Sequence, residues 1–414
     1  MIILERLRCY NKAVENESVL DLQIYKILKL TPSNYFYIPK VAKWYPKLPR
    51  QIKKYRHFSS VIFFSLGVFI ALFGWVYIVH CFLKSLPVNK KVLCSRNEIL
   101  AFVNSDRNLE AIKNSGFAHD HLTYISFREI GCGDGKIFQV KDCVSTLDKI
   151  NTLFISFLAF GYLLVSFKPS RINQFYYSYE FFLTLKLFLR IQPKGFVTSH
   201  HYDRWSILMD GISGHYSSKS SKGKSINFTL IQHGIEREDF LCSRKYLGHF
   251  NKLRYVNTLY LMSISQSELF LKYILDSYCG VRVNIIIFSE ANIQLSPVKR
   301  VDDIPCVLFI GHPVYDFIQL ELYNALVSRF QVCCFYKPHP TTPISKSNTL
   351  QQVGWEVVPS NEFPDVDYFI SYQSTLALQY EAAGKVGFIH GENSSPEDIA
   401  HEKQMMLNFF SSKI

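Results

Sequence analysis

The chain predicts an α/β protein built from two doubly wound parallel sheets, and three observations carry that expectation. From Lys91 onward, short apolar runs of strand length alternate with stretches of helical period. Several of those runs empty into polar loops, namely Gln232-His233-Gly234, Gly311-His312-Pro313 and Tyr336-Lys337-Pro338-His339-Pro340, and carboxyl ends of parallel strands are where open sheets bind ligands. Finally, 414 residues with 48% hydrophobic and 15% aromatic content supply core for two such domains.

In chain order, residues 1–57 are basic and aromatic and read as a surface segment on the cytoplasmic side. The run from Phe58 to Leu83 holds no Asp, Glu, Lys or Arg, and about 20 apolar residues suffice to span a bilayer. It begins too late and lacks the small-residue cleavage pattern of a signal peptide. Lys40, Lys43, Lys47, Arg50, Lys53, Lys54 and Arg56 precede it, and fewer basic residues follow, which places the N-terminus in the cytoplasm. A single crossing would export the strand-end loops. A second crossing at 150–167, or a first run embedded without crossing, keeps them inside. Residues 58–84 are thus expected as a membrane-embedded helix, 85–295 as a first Rossmann-like domain and 296–414 as a second.

The formal charge of +12 and pI near 9.1 admit nucleic acid, anionic lipid or phosphorylated substrates as partners. The charge gathers before Phe58 and no nucleic-acid motif occurs, so an anionic membrane surface is expected and nucleic acid is not. Ten cysteines without CxxC spacing predict neither a metal cluster nor a disulfide framework.

The Lys-Pro-His-Pro loop is the sharpest motif. Its prolines fix φ on either side of His339, so Lys337 and His339 are candidates to face an anionic phosphate. Ser374 and Thr375 open a helix whose N-terminus can receive a phosphate. Glu381, two turns on, is a candidate for a ribose or sugar hydroxyl, and His312 for an approach to the same ligand. His233 is the candidate general base, with Glu236 and Glu238 nearby and Asp210 in reserve. His200 and His201 alternate along what reads as a strand end, which argues against a shared ligand. Asp365-Val366-Asp367 has a metal-binding spacing but sits where Asp commonly turns into a strand; no metal is expected.

These motifs together resemble bacterial surface-polysaccharide glycosyltransferases of the GT-B fold. The Lys-Pro-His-Pro loop with Ser374-Thr375 is similar to the motifs of sialyl, polysialyl and Kdo transferases, and with Gln232-His233-Gly234 it resembles CDP-glycerol glycerophosphotransferases. This chain differs in having Met209 before Asp210 and Ser-Thr in place of paired serines. The resemblance implies metal-independent, inverting transfer from a nucleotide-sugar donor to a lipid-linked oligosaccharide at the inner (cytoplasmic) membrane. It makes His233 or Asp210 the base and His339, Ser374 and Thr375 the phosphate site. Polyol-phosphate transfer from a CDP donor and a non-catalytic assembly role are the alternatives.

Overall fold

Runs such as NFTLI, CVLFI and CCFYK are apolar on both faces, and such strands bury only between layers of helices. The computed structural model describes residues 1–27, 30, 37–40, 56–86, 98–117, 122–130, 137–165, 169–219, 226–236, 238, 241–242, 250–276, 283–288, 293–298, 304–312, 315–339, 353–359, 362–391 and 396–414. It divides into two compact units. The first holds Met1–Lys26, Leu30–Lys40 and Lys54–Glu290, and the second chiefly Ala291–Ile414; the sequence reading put the boundary at 295–296.

Unit 1 begins with α1 (Ile3–Ile27) and α2 (Arg56–Ser85). There follow β1 (Ile99–Phe102), α3 (Asp106–Asn114), β2 (Leu122–Ser126), β3 (Ile137–Gln139), α4 (Thr146–Val165), α5 (Ser178–Ile191), β4 (Gly195–Thr198) and α6 (Arg204–Lys219). β5 (Asn227–Ile231), β6 (Thr258–Leu261) and β7 (Asn284–Ile287) complete a parallel sheet of order β3-β2-β1-β4-β5-β6-β7. The order reverses between β1 and β4, which makes their carboxyl ends the switch point.

Unit 2 contains β8 (Cys306–Ile310), α7 (Asp316–Val327), β9 (Cys333–Lys337), β10 (Glu356–Val357), β11 (Tyr368–Ser371), α8 (Thr375–Ala382), β12 (Val386–Ile389) and α9 (Pro396–Ser411). Its parallel sheet runs β10-β9-β8-β11-β12, with the switch between β8 and β11. The predicted α/β class with two doubly wound parallel sheets is therefore the observed one.

The N-terminal region departs from expectation. Rather than a surface segment within 1–57, α1 is part of the unit 1 core, with Leu7, Tyr10, Ala13, Val14 and Val19 buried. Its polar residues are buried because they are paired. Asn16 bonds the carbonyls of Tyr202 (2.9 Å) and Asn251 (3.0 Å). Glu17 meets Arg204 at 3.1 Å and Lys40 at 2.8 Å, while the Arg204 guanidinium lies 3.6 Å from the centre of the Tyr177 ring. Burial alone would raise the Glu17 carboxyl, but the charges of Lys40 and Arg204 hold it below its ordinary value.

Two helices among the described residues, Ser60–Ser85 and Thr146–Val165, are long and apolar enough to cross a bilayer. The basic run at 41–55 lies outside the described residues.

Removing one partner of a buried ion pair strands the other charge, at a cost of about 3–5 kcal/mol. Urea unfolding should therefore show Glu17→Gln destabilised by about that amount, and Glu17→Met with Arg204→Met should recover most of it. An unchanged midpoint in Glu17→Gln would contradict the pairing.

Candidate functional site

Each unit gathers polar side chains at the carboxyl ends of its central strands. In unit 1 these come from the loops after β1, β4 and β5. Ser105 caps α3 by accepting from Asn108 N (3.2 Å), and the Asn108 amide donates to Ser199 Oγ at 2.9 Å, tying the first turn of α3 to the β4 loop. His201 lies in that β4 loop and is buried. Its Nδ1 stands 3.0 Å from Glu236 Oε1, and its Nε2 3.2 Å from both the backbone N and Nδ1 of His233; the two imidazole centres are 4.4 Å apart. Glu236, His201 and His233 thus form a continuous chain.

The loop bearing His233 is braced by glutamines. Gln232 donates to the Gly234 carbonyl (2.8 Å) and to Gln266 Oε1 (2.7 Å), and accepts from Met262 N (2.8 Å). Gln266 in turn accepts from Glu236 N at 2.8 Å and donates to Glu236 O at 3.0 Å. Burial, followed by the charges of His201, Arg107 and His200, holds His233 well below the usual histidine range. A neutral imidazole is therefore present at neutral pH, ready to accept a proton.

His200 does not join this chain. Its Nδ1 meets Asp203 Oδ2 at 2.6 Å. Burial would raise the Asp203 carboxyl, but this contact and the Arg204 charge hold it well below the ordinary range. Glu238 is exposed and pairs with Lys272 at 2.7 Å. Asp210 is buried on α6, and one of its oxygens accepts from Arg254 N (2.6 Å) and Tyr255 N (2.7 Å). Its geometry is that of a clamp on the 253–255 chain; burial pushes the carboxyl up to about 6.

In unit 2 the structure brings His312, after β8, and His339, after β9, to 5.0 Å between ring centres. Tyr372, after β11, stands 5.2 Å from His312, and Tyr315 5.2 Å from both. Gly311 permits this turn, because a Cβ there would lie 2.1 Å from the Tyr336 hydroxyl. Ser374 is the N-cap of α8, accepting from Ala377 N at 3.1 Å, and stands 3.2 Å from Ser371 Oγ. Thr375 is the first residue of α8 and Glu381 is exposed two turns along it.

Lys337 was expected to face an anion. Its ammonium donates to the carbonyls of Pro359 (3.0 Å) and Glu362 (2.5 Å) and lies 4.5 Å from the Phe363 ring centre. Burial brings it down to about 8. Lys337 therefore ties the end of β9 to the 359–363 chain. Asp367 accepts from Cys306 N at 2.8 Å and Asp365 pairs with Lys385. Both stand at the amino ends of β8 and β11, opposite the histidines. Pro313, Pro340 and the spacer 341–352 lie outside the described residues.

The sequence reading missed His201 as a partner of His233, and Tyr315 and Tyr372 beside His312. The available signal was position alone, each following a strand next to a switch point.

No known protein-family profile matches the chain, and no curated protein does so either. Among solved structures, UDP-GlcNAc 2-epimerase from Neisseria meningitidis, bound to UDP-GlcNAc, is 10% identical with a TM-score of 0.40, covering 76% of this chain and 90% of that one. Acinetobacter baumannii MurG is 9% identical with a TM-score of 0.34, over 76% and 83%. The spinosyn rhamnosyltransferase SpnG is 10% identical with a TM-score of 0.36, over 74% and 83%. At such scores these likenesses carry no weight beside the geometry of the two strand-end clusters.

Asp210 offers a test of its clamp role. Its folded value of about 6 lies above the ordinary 3.8, so the folded state binds the extra proton and stability falls as pH rises from about 4 through about 6. Asp210→Asn keeps an oxygen for both N–H groups and should flatten that fall in thermal melts. Asp210→Ala orphans two buried donors and should lose about 2 kcal/mol or more.

Proposed function

We propose that the chain is a GT-B glycosyltransferase that moves a sugar from a nucleotide-activated donor to a lipid-linked glycan in surface-polysaccharide synthesis. The observation that carries this reading is that each sheet bears its own cluster near its switch point: a carboxylate-backed histidine pair in unit 1 and an imidazole- and hydroxyl-rich cluster in unit 2. Inverting transfer needs both a base for the acceptor and a stabiliser for the departing phosphate.

His233 takes the proton of the acceptor hydroxyl, and His201 and Glu236 orient it and receive the positive charge as it develops. His339 and His312, with Ser374, Thr375 and the N-terminus of α8, hold the donor phosphates, where the backbone N–H groups of the first turn supply donors. Glu381 stands for a ribose or sugar hydroxyl. Lys337 supports this site through the backbone, and Asp210 supports the 253–255 chain within unit 1. The acceptor is lipid-linked and the enzyme works at the inner face of the cytoplasmic membrane, a reading supported by the two long apolar helices of unit 1 and the basic run before them.

Purified protein given nucleotide sugars and a lipid-linked acceptor should release free nucleotide. His233→Ala should lower kcat by about a hundred- to ten-thousand-fold, the usual worth of a general base, with donor KM little changed. His339→Ala should raise donor KM. In wild type the acidic limb of the rate profile should lie below pH 6.5, because His233 is held below that value. Full activity of His233→Ala would contradict the assignment, and consumption of CDP-glycerol alone would move it to polyol-phosphate transfer.

A further inference from the structure

The two apolar helices of unit 1 are not arranged as independent spans. α2 is buried along one stripe, Phe63, Gly67, Ala71, Gly74, Ile78 and Ser85, a spacing of three, four and seven that keeps a single face against the body for about 33 Å of helix. The contacts are continuous. Phe63 meets Tyr25 with ring centres 6.0 Å apart, Phe82 meets Tyr179 at 6.2 Å, and Ser85 Oγ stands 2.7 Å from the Tyr179 hydroxyl. At Gly67 a Cβ would come within 2.6 Å of Tyr37 N, so the helix rests directly on backbone. α4 packs beside α2 and against α5, and the buried Lys149 ammonium donates to the Ser85 carbonyl at the end of α2. Its inward face also carries the buried Thr152 and Ser156.

Outward, both helices are apolar. On α2, Phe69 is 58% exposed, Leu72 61% and Trp75 45%; on α4, Ile150 is 49% and Phe154 63% exposed. Such adjoining exposed faces mark an interaction surface. Directly behind the α2 stripe, the residues it rests on touch buried polar groups: Gln174, next to Phe175, donates to Asp21 at 2.6 Å, and Tyr177 carries Arg204. A vertical crossing would draw these ionisable groups into hydrocarbon, where they are costly. In the sequence, no Asp or Glu occurs from Leu22 to Asn97, while Lys43, Lys47, Arg50, Lys53, Lys54 and Arg56 lead into α2 and Lys84 closes it. That charge complements an anionic surface.

We propose that α2 and α4 form one platform lying in the plane of an anionic bilayer, with their outward side chains in the leaflet and the sheet on the aqueous side, and that neither helix crosses. The proposal rests on the reading of a membrane-bound acceptor and specifies how the enzyme reaches it. The full-length protein should float with vesicles of phosphatidylethanolamine and phosphatidylglycerol, and less well with phosphatidylcholine alone. Leu72→Glu on α2 and Phe154→Glu on α4 should each weaken binding about tenfold or more, with thermal melts unchanged because both positions are exposed. Trp75 emission, taken as the difference from Trp75→Phe, should be quenched more by lipids brominated near the headgroup than near the chain ends. Deep quenching, full binding by Phe154→Glu, or equal binding to phosphatidylcholine would overturn the platform. Failure of glycosyl transfer would show separately, since His233→Ala should float like wild type.

Discussion

The buried Arg204 is the constraint on which unit 1 depends. A guanidinium with little access to water needs a carboxylate, and Glu17 supplies it from the far N-terminus. That contact, with Tyr177 stacked on the cation, seats α1 across the start of α6 and beside the 175–177 turn. On one side the seat fixes the loop from Ser199 to Asp203, which carries His201. On the other it fixes Tyr25, Tyr37 and Phe175, on which α2 lies. One ion pair therefore seats both the loop whose His201 backs the proposed base and the residues under the proposed membrane surface.

Unit 2 is organised differently, around close backbone approaches rather than a buried charge pair. Gly311 lets the chain after β8 pass over Tyr336, and Lys337 pins the end of β9 to the carbonyls of Pro359 and Glu362. The result is an aromatic and imidazole cluster of His312, His339, Tyr315 and Tyr372, and the chain that carries Tyr372 runs on into the first turn of α8. Hydroxyls and N–H groups converge where strand order reverses, and this geometry is general to phosphate sites on doubly wound sheets.

Much of this was legible in the sequence. Continuous apolar runs punctuated by Gly, Pro and His gave both sheets and located His233, His312, His339 and Ser374 at strand ends. What failed depended on contacts distant in sequence. The Glu17, Asp21 and Asn16 of α1 look like a solvated helix face until their partners at 174, 204 and 251 are known. Lys337 reads as an anion ligand because the two carbonyls that accept its protons lie more than twenty residues on. His200 and His201 read as alternating strand residues, but β4 ends at Thr198, so in the following loop His201 turns inward to Glu236 while His200 pairs with Asp203.

The central claim is that the unit 2 histidines receive a nucleotide phosphate. The most direct measurement is an NMR titration of the full-length protein with UDP, GDP, CDP and CMP, following the assigned imidazole signals. One nucleotide should shift His312 and His339 at saturation while leaving His401, on α9, in place. If no nucleotide moves either resonance, or if all signals drift together, the donor-site assignment is contradicted.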